Sequence, residues 1–502
     1  MRERQKDRKE AASLLPRFGV IVLLTVTTAM TGCSVGPDFH RPEVPKTDGF
    51  TATPLPEKTS SAPGTGDEGQ QFALGKEIPD QWWMLFHSEV LDQLIRRALT
   101  DSPTLAAAKS ALRQARENWR AEAGALLPSV DANVSAERQK ISGAAFGQPD
   151  SSFSPFTLYN ASVNVSYILD IFGGIRRNLE TLQAQIDYQR FQLEGVRLTL
   201  TSNIVTAAVK EASLRGQILA TQEILEAQQK QLDLVEQHFR LGGVSRSDVL
   251  AQRTQLAQTR ATLPPLEKQL AQTRHQLAVL TGIFPGDALA MPEFDLNGLQ
   301  LPQELPVSLP SSLVRQRPDI LASEELLHAA SAQVGVATAN LYPQITLTGS
   351  YGSESTKLRD LLKSSTSVWS IAAGLVQPIF HGGTLTARRR AAMEAYDQAV
   401  AQYQETVLQA FQNVADSLLA LEEDARTLTT QADAEAAAAD TLDLTHKQFQ
   451  LGAVSYLSLL NAERQYQQTR IGLIQARAAR FADTAALFQA MGGGWWKGVN
   501  QP

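Results

Sequence analysis

Residues that could carry out catalysis are few and scattered in this chain of 502 residues. Its seven histidines form no His-x-x-x-His pair, and the chain has neither a Gly-x-Ser-x-Gly nucleophile motif nor a Gly-x-x-x-x-Gly-Lys phosphate loop. Its single cysteine excludes an internal disulfide and a cysteine-based metal site. The net charge of -6 argues against nucleic acid as a partner. The sequence therefore predicts no enzyme activity, no metal site and no cofactor.

The single cysteine, Cys33, lies where lipid attachment is expected. A basic stretch precedes an apolar run over 20–30, which is too short for a permanent membrane span and is typical of an export signal. The run ends in Met30-Thr31-Gly32-Cys33, which resembles the lipobox of bacterial lipoproteins, and Ser34 fits their outer-membrane sorting pattern. We expect residues 1–32 to be a lipoprotein signal peptide and Cys33 to carry the lipid. The alternative is an ordinary secretory signal followed by a chance cysteine.

A second distinctive feature is an internal repeat. Residues 238–263 recur at 448–473 with a constant offset of 210 and 11 identities. Both copies contain Phe-x-Leu-Gly-x-Val-Ser, in which the glycine can end one helix and the serine can cap the next. The copies differ after this core, because Arg246 and Asp248 correspond to Tyr456 and Ser458. The repeat predicts two helical hairpins in a chain built of two similar halves.

Alternation of apolar and polar residues predicts four strands with one apolar face. Each strand has about the length of 9–11 residues that crosses a membrane when tilted. Four strands cannot close a barrel in lipid, so several chains must share one, and periodicity does not choose between two and three chains. A soluble four-stranded sheet is the alternative. The predicted strands are about 129–137, 157–170, 344–352 and 368–378.

Apolar residues that recur every seven positions predict two very long coiled-coil helices, 175–241 and 384–451. Each helix would be about 100 Å long. Return helices are expected over 247–281 and 456–491, the first of them interrupted by Pro264-Pro265.

The stretch before residue 81 is rich in Pro, Gly, Ser and Thr and has no periodic apolar face, which is typical of an extended tether. A second Pro- and Gly-rich stretch separates the two halves. The predicted division of the chain is 1–32 signal peptide, 33–80 lipid-anchored N-terminal tether, 81–281 first structural repeat, 282–310 equatorial linker, 311–491 second structural repeat and 492–502 C-terminal tail.

This order of elements resembles the TolC/OprM-type outer-membrane factor family, also called outer membrane efflux proteins, and in particular its NodT-type lipoprotein branch. Several local runs carry the resemblance, and together they span the mature chain. They are Cys33-Ser-Val-Gly-Pro-Asp-Phe with Arg41-Pro42, Trp82-Trp83-Met-Leu-Phe, Arg317-Pro318-Asp319-Ile320, Asn340-Leu-Tyr-Pro343, both Gly-x-Val-Ser turns, and Met491-Gly-Gly-Gly-Trp495.

The resemblance implies a mainly α-helical fold with a membrane β part. Long coiled-coil helices would form a periplasmic α-barrel, and four strands per protomer would join a shared 12-stranded transmembrane β-barrel in a homotrimer. It also implies a passive, lipid-anchored duct in the bacterial outer membrane that extends into the periplasm. With a periplasmic adaptor (membrane fusion) protein and an inner-membrane pump, the duct would export small toxic compounds or drugs. The alternatives are a duct for type I protein secretion and a structural coiled-coil lipoprotein.

The resemblance also places functional residues around the two repeated turns. Leu457 would form an apolar ring of the periplasmic gate, and Asn461 stands where an acidic residue is usual. Asp248 matches an acidic gate position of the first half, with Arg246 as a nearby cation. The alternative for Asp248 is a first-turn acid that favours the helix dipole. The adaptor-docking tips would be Gly242, Gly243, Val244, Ser245, Gly452, Ala453, Val454 and Ser455.

Overall fold

The computed structural model describes residues 34–47, 49–62, 68–142 and 154–497. The predicted signal peptide and the predicted lipid-attachment residue, Cys33, lie outside the described residues. The chain divides into two compact units. The first unit consists of Met1–Arg41, Arg113–Tyr188 and Glu324–Gln402, and the second of Pro42–Leu112, Gln189–Ser323 and Tyr403–Pro502.

Helices make up most of the described chain. Among the described residues, no helix combines the length and the hydropathy that are needed to cross a bilayer. The α-helices are α1 Glu89–Asp101, α2 Pro103–Ala123, α3 Gly174–Arg240, α4 Arg246–Ala261, α5 Leu263–Leu280, α6 Pro310–Gln316, α7 Pro318–Ala339, α8 Thr384–Gln450 and α9 Tyr456–Ala490. The strands are β1 Gln71–Leu74, β2 Ser129–Gln139, β3 Phe156–Leu169, β4 Glu304–Val307, β5 Gln344–Ser355 and β6 Ser367–Val376.

The two long helices, α3 and α8, have 67 residues each. In α8 the seven-residue spacing of apolar side chains coincides with burial in the second unit. The side chains at Val407, Val414, Leu421 and Leu428 are between 0% and 6% exposed. This spacing keeps one stripe of the helix against its neighbours along its length.

The first return helix is interrupted next to Pro264-Pro265, where the sequence predicts a break. The segment predicted as a helix over 247–281 consists of α4 and α5, which are separated at Thr262. Pro264-Pro265 lies in the first turn of α5, where a missing backbone N–H and a fixed φ are tolerated. The other return helix, α9, runs for 35 residues without a break. The two halves of the chain are therefore not identical in this segment.

The first unit contains a four-stranded antiparallel sheet in the order β2-β3-β5-β6. One face of the sheet carries apolar side chains in register, for example Val163 opposite Tyr351, which in turn lies opposite Trp369. Tyr351 is 67% exposed and Trp369 is 71% exposed. The apolar face of this sheet is thus open rather than packed into a core, and β2 and β6 form its two edges.

Residues 34–41, which lie at the start of the segment 33–80 predicted as a tether, pack within the first unit. The N–H of Val35 donates to the carbonyl of Phe172 at 3.1 Å, just beyond β3. The Arg177 guanidinium, with a side chain only 5% exposed, donates to the Asp38 carboxylate at 2.7 Å. This contact holds the pKa of Asp38 below its usual value. Phe39 stacks on His328 at a ring distance of 4.3 Å.

In the second unit, β1 from the predicted tether pairs in parallel with β4 from the predicted linker 282–310. These two segments therefore contain a small sheet that sequence periodicity does not reveal. The fully buried Arg480 of α9 fastens the segment that leads into β1. Its guanidinium donates to the carbonyl of Glu68 at 2.6 Å and to the side-chain oxygen of Gln70 at 3.3 Å.

The Arg-Pro-Asp run has a structural role in the second unit. Arg317 forms an ion pair with Asp319 at 2.6 Å. The same guanidinium donates to the carbonyl of Ala490 in α9 at 2.8 Å and to that of Ala410 in α8 at 3.3 Å. One arginine thus ties the start of α7 to two other helices.

Glu211 of α3 is fully buried and, like Arg317, makes several polar contacts. Its carboxylate accepts from Arg215 at 2.7 Å, from Arg274 of α5 at 3.0 Å and from the N–H of Phe294 at 3.0 Å. Because a buried carboxylate needs such donors, the contact fixes the segment after α5 on the helices.

We predict that Glu211→Gln lowers the free energy of local unfolding by about 3 kcal/mol, because two arginines lose a buried counter-charge. Hydrogen exchange of the amides in 205–215 measures this change. The control is Glu293→Gln, which removes a 68% exposed partner of Arg215 and should cost less than about 1 kcal/mol. Equal effects of the two substitutions would contradict the buried-contact explanation.

Candidate functional site

The two repeated turns have the same backbone structure. Gly242 and Gly452 follow the ends of α3 and α8 with φ of +79° and +71°, a left-handed conformation that favours glycine. The N–H of Gly243 donates to the carbonyl of His238 at 2.8 Å, and that of Ala453 donates to Gln448 at 2.9 Å. These are the hydrogen bonds of a Schellman motif, which closes a helix end and reverses the chain.

Each turn then caps the next helix, but with different chemistry. Ser245 and Asp248 form a reciprocal capping box, in which the Asp248 carboxylate accepts from the N–H of Ser245 at 2.9 Å. In the second turn the hydroxyl of Ser455 accepts from the N–H of Ser458 at 3.3 Å. A negative charge at the start of α4 is also favourable to the helix dipole. Asp248 therefore stabilises its own turn, whatever else it contacts.

The two turns lie together in the second unit and border one groove of about 990 Å³. The groove includes seven of the eight predicted tip residues, all except Ala453, together with Asp248 and Leu457. Arg246 and Asn461 are exposed and do not line it. The remaining residues of the groove are Gln231, Leu234, Val235, His238, His446, Phe449, Gln450 and Tyr456.

Tyr456 holds the two hairpins together. Its side chain is 5% exposed, its hydroxyl donates to Gln252 of α4, and its ring lies 5.6 Å from that of Phe449 in α8. Burial, together with the charges of Glu463 and Asp248, raises the pKa of the Tyr456 hydroxyl, so that it remains a donor. Sequence reasoning gave Tyr456 no role. The signal was its position, since it replaces the basic Arg246 of the other copy.

An apolar rim surrounds the turns. The leucine that directly follows each long helix is almost fully exposed, with Leu241 at 86% and Leu451 at 85%, and Leu457 is 61% exposed. The two hairpins also share a small core made of Leu232, Val235, Val249, Leu256, Tyr456 and Leu459. A patch of exposed leucines beside a well-ordered turn is typical of a protein-binding surface.

Glu463 is a further residue that sequence reasoning missed. Burial raises the pKa of its carboxyl to about 7, and within the described part of the chain its Oε2 atom is buried with no hydrogen-bond partner. Among the described residues, Glu463 included, no three His, Cys, Asp or Glu side chains are grouped so as to hold a metal ion.

We predict that Gly242→Ala costs about 1–2 kcal/mol at the first turn, because an L side chain must adopt the left-handed conformation. Gly243→Ala is the matched control, since its counterpart is Ala453 and a Cβ there meets no atom closer than 3.5 Å. Hydrogen exchange of the amides in 239–246 measures both. Equal loss of protection in the two variants would contradict the role assigned to Gly242.

We also predict that the start of α9 becomes less stable as pH rises. The unfolded Glu463 carboxyl loses its proton above 4.5, whereas the folded one keeps it up to about 7. The folded state therefore binds more protons across this window, and its stability falls as pH increases. Hydrogen exchange of 456–466, corrected for intrinsic rates, should show this trend in wild type but not in Glu463→Gln. The exposed Glu267→Gln is the control; a flat wild-type profile would contradict the prediction.

Comparisons with known proteins agree with this architecture. The sequence profile named "Outer membrane efflux protein" matches residues 94–283 and 309–493. The pyoverdine export outer membrane protein OpmQ of Pseudomonas putida is 32% identical over 453 residues, which cover 88% of this chain and 94% of that protein. The toluene efflux pump outer membrane protein TtgC of Pseudomonas putida is 29% identical over 485 residues, which cover 96% and 97%.

The solved structure of the outer-membrane channel OprN is also similar. It superimposes with a TM-score of 0.82 at 27% identity, and the match covers 92% of this chain and 100% of that chain. Taken together, the family profile, these relatives and this fold show that the chain belongs to the outer membrane efflux protein family and is the outer-membrane channel component of an efflux system.

Proposed function

We propose that three copies of this chain form a lipid-anchored duct that exports small toxic compounds. Each copy would give four strands to a 12-stranded transmembrane barrel and its long helices to a periplasmic α-barrel. A periplasmic adaptor and an inner-membrane pump would deliver the exported compound to the duct. The observation that carries the proposal is the sheet β2-β3-β5-β6, which has an open apolar face and two unpaired edges.

An unpaired strand edge is not tolerated in a bilayer, because lipid offers no hydrogen bonds to backbone N–H and C=O groups. The four strands must therefore pair with strands of other copies. Two copies would give about eight strands and three about twelve, and both lie in the range of known barrels. The similarity to the OprN channel over 92% of this chain supports assembly into a channel of that kind.

We propose that the chain consists of two structural repeats, 81–281 and 311–491. The same order of elements supports this division: α2, β2, β3 and α3 in the first half correspond to α7, β5, β6 and α8 in the second. The sequence repeat also supports it, because residues 238–263 lie in the first proposed repeat and the matching residues 448–473 lie in the second.

We further propose that the two turns form the periplasmic end of the duct. The residues Gly242–Ser245 and Gly452–Ser455 would dock the adaptor, with the exposed leucines at their rim. Leu457 and Asn461 would line the gate of the second hairpin, and Asp248 with Arg246 that of the first. The proximity of both turns around one groove supports a joint role.

The cargo is proposed to be small molecules. One relative is named for pyoverdine export and another for toluene efflux, two chemically different small compounds. Such variety among similar channels supports a duct that does not itself select the cargo, and we propose that the inner-membrane pump selects it.

The proposed lipid anchor is supported by the segment that follows Cys33. Ser34 lies against Gly173, where an added Cβ would come within 2.7 Å of the Ser34 hydroxyl. Since Gly173 lies four residues beyond the end of β3, the start of the described chain is held near the end of a proposed membrane strand. A lipid on Cys33 would thus enter the bilayer beside that strand.

Planar-bilayer recording of the purified protein tests the duct and its gate. We predict a low-conductance wild-type channel and a conductance increase of severalfold in Leu457→Ala, because an apolar ring loses volume. Asp248→Ser should also open the channel. It removes the charge but keeps a hydroxyl at this cap position, as Ser458 does in the second turn. Unchanged conductance in both variants would refute the gate assignment, and no wild-type channel would refute the duct.

A separate prediction concerns Cys33. Mass spectrometry of the mature protein should find the N-terminus at Cys33 with attached acyl chains, and Cys33→Ser should abolish the modification. Acyl chains supply the membrane affinity of a lipid anchor. Copies of the unmodified variant that have not assembled into a barrel should therefore wash off membranes more readily than lipidated copies. An unmodified cysteine in the wild-type protein would contradict the lipobox interpretation.

A further inference from the structure

The start of the described chain is held on α7 by contacts of several kinds, all within the first unit. The backbones of Gly36 and Gly335 approach so closely that a Cβ added at Gly36 would come within 2.4 Å of the Gly335 Cα atom. Arg41 forms an ion pair at 2.9 Å with Glu324, whose side chain is only 2% exposed. Residues 34–41 thus form a docked segment.

His328 of α7 contacts this docked segment, and its ring also faces two carboxylates. The Nε2 atom lies 3.0 Å from a carboxylate oxygen of Glu180 in α3, and the Nδ1 atom lies 3.4 Å from one of Glu325 in α7. An ionised carboxylate only accepts hydrogen bonds, so each ring nitrogen must donate to satisfy its neighbour. A neutral imidazole has one N–H and an imidazolium has two. The geometry therefore fits the protonated ring.

The docked segment itself supplies the third contact of the ring. Phe39 stacks on His328 with a ring distance of 4.3 Å and an interplanar angle of 13°. Because the face of an aromatic ring attracts a cation, this contact is stronger when the histidine carries its charge. Protonation of His328 thus strengthens its contacts with α3 and with the docked segment together.

Arg177 of α3 connects the same carboxylates to the docked segment. Its guanidinium donates at 2.7 Å to the second carboxylate oxygen of Glu180 and at 2.7 Å to Asp38. Glu180 therefore bridges a permanent cation and a titratable one. When His328 is neutral, either Glu180 or Glu325 faces a ring lone pair, and Arg177 is the remaining counter-charge of this network. Deprotonation thus weakens the network on the side where the docked segment lies.

We propose that the docked segment is a pH-responsive clasp, which protonation of His328 tightens and deprotonation loosens. The clasp holds the start of the mature chain, directly after the proposed lipid-attachment residue Cys33, on α3 and α7. This inference goes beyond the proposed function, since it depends on contacts within one chain and requires neither the duct nor the lipid.

The direction of the pH effect follows from the folded and unfolded states of His328. Hydrogen bonds to Glu325 and to Glu180 raise its pKa in the folded chain above the ordinary value of 6.5. Below pH 6.5 both states bind the proton, and the stabilisation of the clasp is fully present. As pH rises through the folded pKa the stabilisation is lost. The clasp is therefore tight in acid and loosens as pH rises above 6.5.

Hydrogen exchange of the amides in 35–41, corrected for intrinsic rates, tests the clasp in the full-length protein. We predict that the wild-type segment loses protection from about pH 6 to about pH 9, because the histidine loses its charge in this range. His328→Gln should show weak protection and no such trend, since an amide does not become charged. His40→Gln is the matched control, because His40 is an exposed histidine of the docked segment, and it should keep the wild-type trend.

Glu325→Gln is a second variant that keeps the ring and removes one of its two carboxylates. We expect it to shift the loss of protection to lower pH, because the imidazolium loses a charged acceptor. This variant tests the clasp even if His328→Gln does not assemble.

A flat wild-type profile would overturn the clasp, and so would an equal loss of the trend in His40→Gln and His328→Gln. An unshifted profile in Glu325→Gln would also contradict it. Bilayer recordings of the same proteins separate this result from the proposed function. A conducting protein without the pH trend refutes only the clasp, whereas a wild-type protein that shows the trend but does not conduct refutes only the duct.

Discussion

The constraint on which the rest of this structure depends is the backbone of two edge strands. Strands β2 and β6 each expose a row of N–H and C=O groups, and the sheet between them has an open apolar face. An apolar face favours lipid, whereas unpaired edges are excluded from it. The proposed edge-to-edge pairing of copies would meet both conditions, and assembly would then be part of folding in the membrane.

The long helices also depend on contacts with other elements. Long helices α3 and α8 cannot be stable alone in water, because most helical stability comes from packing of an apolar face. Return helices after each turn supply that packing, and the turns are built to be sharp by Gly242 and Gly452. The second hairpin has Tyr456 buried between helices where the first has Arg246. One turn is thus anchored by an aromatic ring and the other is capped by a carboxylate, which makes unequal responses to a docked partner physically reasonable.

Local patterns of the sequence predicted the elements that depend on local physics. Period-two alternation located the strands of the first unit, and seven-residue spacing located the long helices, because these periods reflect one buried face. Non-local contacts were missed. Strand β1 pairs with β4 more than 200 residues later, and Arg480 binds Glu68 and Gln70 across a still longer separation. No local pattern encodes such partners, so the Pro- and Gly-rich segments were interpreted as tether and linker.

The candidate site was predictable to a similar extent. The repeat identified both turns, since glycine and serine have fixed positions in such a motif, but it did not reveal that a carboxylate oxygen of Glu463 is buried. The central claim is that the open edges are closed by other copies, and native mass spectrometry of the detergent-purified, conducting protein tests it most directly. The account predicts a single species of three chains. A conducting species of one chain would contradict edge closure, and one of two chains would contradict the twelve-stranded barrel.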